Sequence, residues 1–389
     1  MTQRLSDDQY LSFLTIYRNA LHQIPESGFE EFKTSQYIQS VLKELGIPFE
    51  VVVKTGVIAY LEGKNATKTL GFRSDMDGLS VAEKSNHYVH SSHAGYMHAC
   101  GHDGHMSMLL GLATYLKHHE DQLVDNIVLI FQPAEEGPGG AEEIVKEGYL
   151  SKYKVDEMYG IHLYPAVPEG KYGLAAGPMM AMTGEFDVDI IAKSAHGAMP
   201  HEGIDAIVIA SECVSAFQNI VSRNVSPIEP AVLTVGRIEG GERRNVIAGS
   251  ARLEGTIRAF NKNVHHMIKE RIRTYLDGIE KAYNIEVKTY FRDMYPPVIN
   301  PKTLVDDFVS AQGRDNCVMM NPQMISEDFS FYQEAIPALF YFVGTYNESE
   351  NHIFPLHSAY FNFNHRVLRN GLESYIRILN LKGSLTTEE

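Results

Sequence analysis

Cysteine is scarce in this sequence, and its three residues lie far apart, at Cys100, Cys213 and Cys317. That spacing predicts no disulfide framework and is typical of a protein from a reducing cytoplasm. The paired Cys-x-x-Cys motif is absent, which argues against a structural zinc knot. The Pro-Cys-x-x-Cys half of the zinc-deaminase signature is therefore absent too, and this argues against a deaminase.

Basic residues are also few, with 34 Lys and Arg against 49 Asp and Glu, so the formal net charge is −15. Such a balance argues against nucleic acid or an anionic membrane surface as a partner. No apolar run is long enough to cross a bilayer, and the N-terminal MTQRLSDDQY lacks the basic flank and apolar core of a signal peptide. We therefore expect a cytoplasmic protein.

The length of the chain, 389 residues, predicts two domains. Strands and helices alternate through the first half, which favours an α/β layer with a largely parallel or mixed sheet flanked by helices. Residues 184–292 follow the order β-α-β-β-α-β of a ferredoxin-like unit, whose edges offer a dimer surface. We predict a discontinuous catalytic domain over 1–181 and 293–389, and an inserted lid and dimerisation domain over 182–292.

The densest group of metal-binding side chains is the stretch His98-Ala99-Cys100-Gly101-His102-Asp103-Gly104-His105. The apolar pattern from Met106 onward predicts a helix, so the stretch lies in the turn that enters it. The positive end of a helix dipole favours a thiolate over a thiol, and Gly101 permits a tight backbone. This pattern predicts a divalent metal site; a structural zinc knot or a buried cysteine among surface histidines are the alternatives.

Further polar side chains follow the ends of predicted strands. Asp75 follows one strand, Glu135 and Glu136 follow the apolar stretch NIVLIFQ, and His162 ends another strand. In parallel sheets, ligands bind beyond the carboxyl ends of the strands. We therefore expect these groups to meet the cysteine–histidine stretch at one edge of the sheet.

The adjacent carboxylates indicate the chemistry. A divalent ion lowers the pKa of a bound water to about 7, and a carboxylate held off the metal can then move a proton. With five or more candidate ligands, two ions about 3.5–4 Å apart are expected. The combination predicts metal-assisted hydrolysis of an amide.

Five motifs together resemble the aminoacylase/hippuricase family, the amidohydrolase branch of the dinuclear metallopeptidases. They are Leu21-His22-Gln23-Ile24-Pro25-Glu26, Arg73-Ser74-Asp75-Met76-Asp77, Met97-His98-Ala99-Cys100-Gly101-His102-Asp103, Gln132-Pro133-Ala134-Glu135-Glu136 and Ser326-Glu327-Asp328-Phe329. The resemblance covers essentially the whole chain. The chain departs from the family at Ser194-Ala195, where Gly-Gly is frequent, and at Ser74, where alanine is common.

The resemblance implies a role for each of several residues. Two divalent ions, zinc or manganese with cobalt or nickel as further options, would be held by Cys100, His102, Glu136, His162 and His357. Glu135 would be the general base, and Asp75 an active-site carboxylate. In the lid, His196 would reach the partner subunit's site and stabilise the oxyanion, while Asn245 and Arg258 would hold a substrate carboxylate, a role that suits arginine.

The activity implied is hydrolysis of the amide bond of N-acyl amino acids, foremost N-acetyl amino acids, by a homodimer joined through the inserted domain. The stretch QPAEEGPGGAE also resembles N-acetyldiaminopimelate deacetylases of lysine synthesis, and this alternative stays open. A non-catalytic metal-binding protein is the second alternative. His87, His90 and His93, in a polar loop, are predicted to be surface residues.

Overall fold

The computed structural model describes residues 6–386, and the chain divides into two compact units. The first comprises Met1–Met179, Ile299–Asn321 and Asp328–Glu389, and the second Met180–Val298 and Pro322–Glu327. Among the described residues, no helix has both the length and the apolar character needed to cross a membrane.

The helices and strands follow one another along the chain as follows. The helices are α1 (Asp7–His22), α2 (Phe32–Glu44), α3 (His102–His118), α4 (Gly140–Lys146), α5 (Tyr149–Lys152), α6 (Ala206–Asn224), α7 (Lys262–Tyr283), α8 (Lys302–Gln312), α9 (Ser330–Ala335) and α10 (Arg366–Leu381). The strands are β1 (Phe49–Val52), β2 (Gly56–Leu61), β3 (Thr69–Asp75), β4 (Asn126–Gln132), β5 (Glu157–Pro168), β6 (Tyr172–Leu174), β7 (Gly177–Met180), β8 (Met182–Ile191), β9 (Ala195–His196), β10 (Ala231–Gly240), β11 (Val246–Ile247), β12 (Ser250–Ala259), β13 (Glu286–Asp293), β14 (Val298–Asn300), β15 (Cys317–Met319) and β16 (Ala338–Tyr346).

The first unit is built on an eight-stranded mixed sheet with the order β1-β2-β4-β3-β5-β16-β6-β15. Its centre is parallel, from β4 through β3 and β5 to β16, whereas β2 joins β4 and β6 joins β16 in antiparallel fashion. Helices α1, α3 and α10 pack together in the core of this unit. The predicted α/β class with a largely parallel or mixed sheet is confirmed.

The register of the central strands decides which side chains meet at the sheet edge. Asp75 lies opposite Gln132, and Arg73 lies opposite Gly160. Because these strands are parallel and buried, the residues that follow them emerge at the same edge. His162, two residues beyond Gly160, is therefore level with Asp75, and the loop that carries Glu135 and Glu136 begins just after Gln132, on the other side of Asp75.

The second unit contains a four-stranded antiparallel sheet with the order β10-β12-β8-β13. Alternate residues of β8, among them Phe186 and Val188, are buried with Phe217 of α6 and Ile268 of α7. The period of two places every second side chain on the helix-covered face. The order of elements is the expected β-α-β-β-α-β; a role of this unit as lid and dimerisation domain stays a prediction.

Candidate metal centre

The cysteine–histidine stretch lies where α3 begins. The helix starts at His102, four residues earlier than the apolar pattern predicts, so His102 and His105 occupy its first turn. Gly101 has φ 85°, a conformation that favours glycine, and a Cβ there would lie 3.2 Å from Leu163 Cδ1. This turn places Cys100 and His102 side by side.

Two of the three candidate histidine ligands, His102 and His162, each present Nε2, because their Nδ1 is occupied. His102 Nδ1 lies 2.9 Å from the carbonyl oxygen of Asp77, and His162 Nδ1 lies 2.7 Å from that of Leu163. A carbonyl oxygen only accepts, so each Nδ1 carries the proton. His162 Nε2 lies 3.4 Å from Cys100 Sγ, and His102 Nε2 has no hydrogen-bond partner within residues 6–386. Metal-binding histidines are typically oriented in this way.

His105 is placed as a supporting residue. Its Nδ1 lies 2.6 Å from Asp75 Oδ1, and its Nε2 accepts the Leu163 N–H at 2.8 Å. Both ring nitrogens are therefore used, although candidate ligand atoms of Asp75, His102, His105 and His162 all lie within 4.8 Å of one another. Arg73 Nη1 donates to Asp75 Oδ2 at 2.9 Å. His105 and Arg73 thus fix the orientation of the Asp75 carboxylate.

The loop after β4 carries the paired carboxylates, and Asp77 holds its backbone. Asp77 Oδ1 accepts the Glu135 N–H at 3.1 Å, and Oδ2 accepts the Glu136 N–H at 3.0 Å. The Glu136 carboxylate lies 3.1 Å from His357 Nε2, and the His357 N–H donates to the carbonyl oxygen of Ala99 at 2.9 Å. His357 thereby links Glu136 to the turn that carries the cysteine.

The remaining distances show one compact cluster. Ligand atoms of Cys100, His102 and Glu136 lie within 4.8 Å of one another. Glu135 Oε2 lies 3.9 Å from His102 Nε2, and Asp75 Oδ2 lies 3.8 Å from the same atom. All the first-unit residues selected from the sequence thus meet at this edge of the sheet.

Electrostatics favour a cation in the cluster. Burial raises the pKa of the Cys100 thiol well above its usual value, and the carboxylates of Glu136 and Glu135 raise it further. Burial lowers the pKa of His102, but Asp75 and Asp77 outweigh burial and raise it to about 10. The carboxylates therefore attract positive charge. A thiol, carboxylates and imidazoles, one of which has an unpaired Nε2, are ligands that fit a divalent transition metal.

Burial also excludes one of the alternatives that the sequence left open for this stretch. The side chains of His98, His102 and His105 are all buried. The alternative of a buried cysteine among surface histidines is therefore wrong. His98 Nδ1 lies 3.1 Å from the Asp77 carbonyl oxygen, so this histidine also contacts the segment that holds His102.

A buried polar network supports the cluster; its members lie in the motifs quoted from the sequence, which assigned no contact to any of them. Arg73 donates to Asp328 Oδ1 and to Gln132 Oε1, both at 2.8 Å, and Gln132 Nε2 donates to Asp328 Oδ2 at 2.8 Å. Arg73 is fully buried within β3. An arginine inside an apolar strand must be paired, so its position was a usable signal.

The second unit holds the other three residues selected from the sequence. His196 is exposed on β9 opposite Val246, and the Gly197 N–H donates to the Asn245 carbonyl oxygen at 2.8 Å. Their two-stranded ribbon therefore brings His196 and Asn245 together. Arg258 lies on β12, half-buried, where its Nη1 donates to the Ile257 carbonyl oxygen at 3.1 Å.

The surface prediction for the polar loop is correct for His90 and wrong for His87. His87 is 5% exposed, and its Nε2 contacts Arg18 Nη1 and lies 3.2 Å from His365 Nε2. His93 is partly buried, with Nδ1 2.7 Å from the Pro25 carbonyl oxygen. The loop packs against α1, and that long-range contact buries a side chain whose neighbours in sequence are polar.

Comparison with known proteins places the chain among metal-dependent hydrolases. Residues 71–381 match the family described as Peptidase family M20/M25/M40. The N-acetyldiaminopimelate deacetylase of Anoxybacillus flavithermus is 38% identical over 384 residues, covering 97% of this chain and 99% of the relative. The N-acetyl-L-cysteine deacetylase of Bacillus subtilis is 39% identical over 338 residues, covering 86% and 81%.

Among solved structures, a Bacillus subtilis protein described as a dinuclear metal-binding peptidase of the M20 family aligns with a TM-score of 0.83. It is 30% identical and covers 97% of this chain and 99% of its own. The resemblance seen in the motifs is thereby confirmed. This chain belongs to peptidase family M20/M25/M40.

Proposed function

We propose that the protein is a metal-dependent amidohydrolase that removes an acyl group, foremost acetyl, from the nitrogen of an amino acid. The observation that carries the proposal is the pair Glu135–Glu136, whose two backbone N–H groups are fixed by Asp77 beside the cysteine–histidine cluster. Relatives named for the deacetylation of N-acetyldiaminopimelate and N-acetyl-L-cysteine support it.

We assign two divalent ions to the cluster, with zinc or manganese foremost. The residues that would hold them are Cys100, His102, Glu136, His162 and His357. When bound, such ions polarise the amide carbonyl and lower the pKa of water. The thiolate of Cys100 favours zinc, while imidazole and carboxylate ligands also suit manganese, cobalt or nickel.

Glu135 acts as the proton carrier. Its side chain is buried, and Oε2 lies within 4 Å of His102 Nε2, at the edge of the ligand cluster. In this position the carboxylate accepts a proton from the attacking water and delivers it to the departing amine nitrogen. Asp75 acts as a fixed negative charge, held by His105 and Arg73.

We assign substrate contacts to the second unit. His196 donates a hydrogen bond to the developing oxyanion of the partner subunit's substrate, and Asn245 and Arg258 bind the substrate carboxylate. Arg258 suits this role because the carboxylate oxygens match its planar donor pair. A homodimer joined through the second unit follows from this assignment. The three cysteines are free, which supports a location in a reducing cytoplasm.

The test of the activity measures amine release from N-acetyl-L,L-diaminopimelate, N-acetyl-L-cysteine, N-acetyl-methionine and hippurate. The protein is stripped of metal and reloaded with zinc or manganese. Turnover of the diaminopimelate derivative alone assigns a role in lysine synthesis, and turnover of several substrates assigns general deacylation. A loaded protein that turns over none of them refutes the proposal and favours the non-catalytic alternative.

Two variants test the residue roles. Glu135→Gln should lower kcat by about 100- to 10,000-fold while both ions stay bound. Mixing Glu135→Gln with His196→Ala subunits should restore part of the activity, because each mixed dimer then contains one complete site. Activity that survives Glu135→Gln contradicts the mechanism, and mixtures as inactive as their parents contradict the contribution of His196 across the dimer.

A further inference from the structure

Glu31 is a buried carboxylate of the first unit that lies outside the metal cluster. It directly precedes α2, and its side chain is 0% exposed. Thr55 Oγ1 donates to Glu31 Oε2 at 2.6 Å, and the Ala134 N–H donates to Glu31 Oε1 at 2.8 Å. Glu31 therefore connects the start of α2 and the segment of Thr55 to Ala134, the residue that immediately precedes Glu135.

Ala134 adopts an unusual backbone conformation. Its φ is 57°, in the left-handed region that residues with a Cβ seldom occupy. Such a conformation persists only when its surroundings hold it in place. The strained residue lies next to the proposed proton carrier, so the contacts of Ala134 also set the direction in which Glu135 leaves the strand.

Three consecutive N–H groups of this loop are each bound by a carboxylate oxygen. Ala134 donates to Glu31, and Glu135 and Glu136 donate to the two oxygens of Asp77. Packing closes the same loop from the side, because a Cβ on Gly28 would lie 2.8 Å from Ala134 Cβ. Of the two carboxylates, Asp77 binds the N–H groups of Glu135 and Glu136, and Glu31 binds that of Ala134.

We propose that Glu31 is a positioning residue for amide hydrolysis, which holds Ala134 in its strained conformation and so aims the Glu135 carboxylate. The inference rests on the proposed function. Without the acceptor at Ala134, the backbone can relax to negative φ, and the peptide that begins Glu135 rotates. Glu136 keeps its contacts with Asp77 and His357, so the loss falls on proton transfer and spares metal binding.

The contacts of Glu31 define which substitutions preserve its role. Glutamine keeps an oxygen for the Ala134 N–H, and its amide group can donate to Thr55 Oγ1, since a hydroxyl both donates and accepts. Aspartate keeps the carboxylate but is one methylene shorter, so it loses reach. Alanine loses both contacts. Comparing the three variants separates the hydrogen bond from the charge and from simple burial.

Asp125 offers a matched control. It is 2% exposed, and like Glu31 it accepts one backbone N–H, from Thr67 at 2.9 Å. It also accepts two hydroxyls, from Ser384 at 2.9 Å and from Thr67 at 3.2 Å, and its Oδ2 lies 3.7 Å from Lys68 Nζ. It directly precedes β4, whereas the Glu135 loop directly follows this strand. Asp125→Ala therefore removes at least as many buried contacts as Glu31→Ala, but at the opposite end of the same strand.

The experiment measures kcat, KM, bound metal and thermal unfolding of the metal-loaded variants, using the best substrate of the panel. Glu31→Ala and Glu31→Asp should lower kcat by about tenfold or more, with KM within about twofold and both ions retained. Glu31→Gln should stay within about threefold of the parent protein. Asp125→Ala should lower the unfolding temperature and leave kcat unchanged.

Several outcomes overturn the inference. An unchanged kcat in Glu31→Ala or Glu31→Asp removes the positioning role, and an equal loss in Glu31→Gln assigns the effect to charge. An equal loss in Asp125→Ala makes it a general consequence of destabilisation. If Glu31→Ala does not fold, the comparison of kcat between Glu31→Asp and Glu31→Gln decides whether Glu31 is a positioning residue. A parent protein without turnover refutes the proposed function instead, and so distinguishes the two failures.

Discussion

Replacing Asp77 with asparagine tests whether one carboxylate aligns both Glu135 and Glu136. Its two oxygens accept the N–H groups of Glu135 and Glu136 at 3.1 and 3.0 Å. Asparagine has a single oxygen, so one of these N–H groups must face an amide NH2. A hydrogen bond to a charged group contributes about 1.5–3 kcal/mol, which corresponds to a loss of roughly 10- to 150-fold.

The loss should appear in kcat, in metal affinity or in both, because Asp77 also lies 3.2 Å from His102 Nδ1 through Oδ1. Replacing such supporting groups typically lowers metal affinity or activity about 10- to 100-fold. The assay combines kcat of the metal-loaded variant with competition against a chelator. The His102 contact with the main-chain oxygen of Asp77 survives the substitution, so the fold of this segment should persist.

Asp125→Asn is the control for this substitution. It too removes one acceptor oxygen from a buried aspartate, but at the start of β4. The strand is about 23 Å long, and Glu135 and Glu136 lie beyond its other end. It should lower the unfolding temperature and leave metal affinity and kcat unchanged. The alignment by Asp77 is refuted if Asp77→Asn keeps kcat and metal affinity within about twofold of the parent protein. It is also refuted if Asp125→Asn lowers these two quantities as much as Asp77→Asn does.

Three further outcomes are expected. Cys100→Ala should weaken metal binding in chelator competition by at least the roughly 10- to 100-fold that loss of a group supporting a ligand causes; unchanged affinity would remove this residue from the ligand set. Gly28→Ala should lower stability by about 1–3 kcal/mol in denaturant unfolding, since its Cβ would lie 2.6 Å from the Gly137 carbonyl oxygen; equal midpoints would contradict this packing. Burial raises the pKa of Glu31 to about 7, so the stability due to its neutral form is complete below pH 4.5 and falls by about 3 kcal/mol as pH rises through 7. Glu31→Gln should remove that fall, and parallel pH profiles of unfolding temperature would refute it.

The sequence by itself determined the fold class and the chemistry of the cluster. Strand and helix periods are local, so the alternation of the first half and the β-α-β-β-α-β order of the second unit could be read directly. The groups Cys100-Gly101-His102 and Glu135-Glu136 are likewise local, and their residue types alone indicate a metal and a base. The rule that parallel strands end at one edge predicted that Asp75 and His162 would join them.

Only the tertiary structure decided what each side chain contacts. His105 has the same residue type and nearly the same place in sequence as His102, yet its partners, Asp75 and the Leu163 N–H, use both its nitrogens. His87 lies among polar neighbours and is nevertheless buried against Arg18. The Glu31 carboxylate reaches Ala134 across more than a hundred residues. Such contacts depend on strand register and loop packing, which sequence periodicity does not encode, because it records only which face of an element is buried and not which distant group lies opposite.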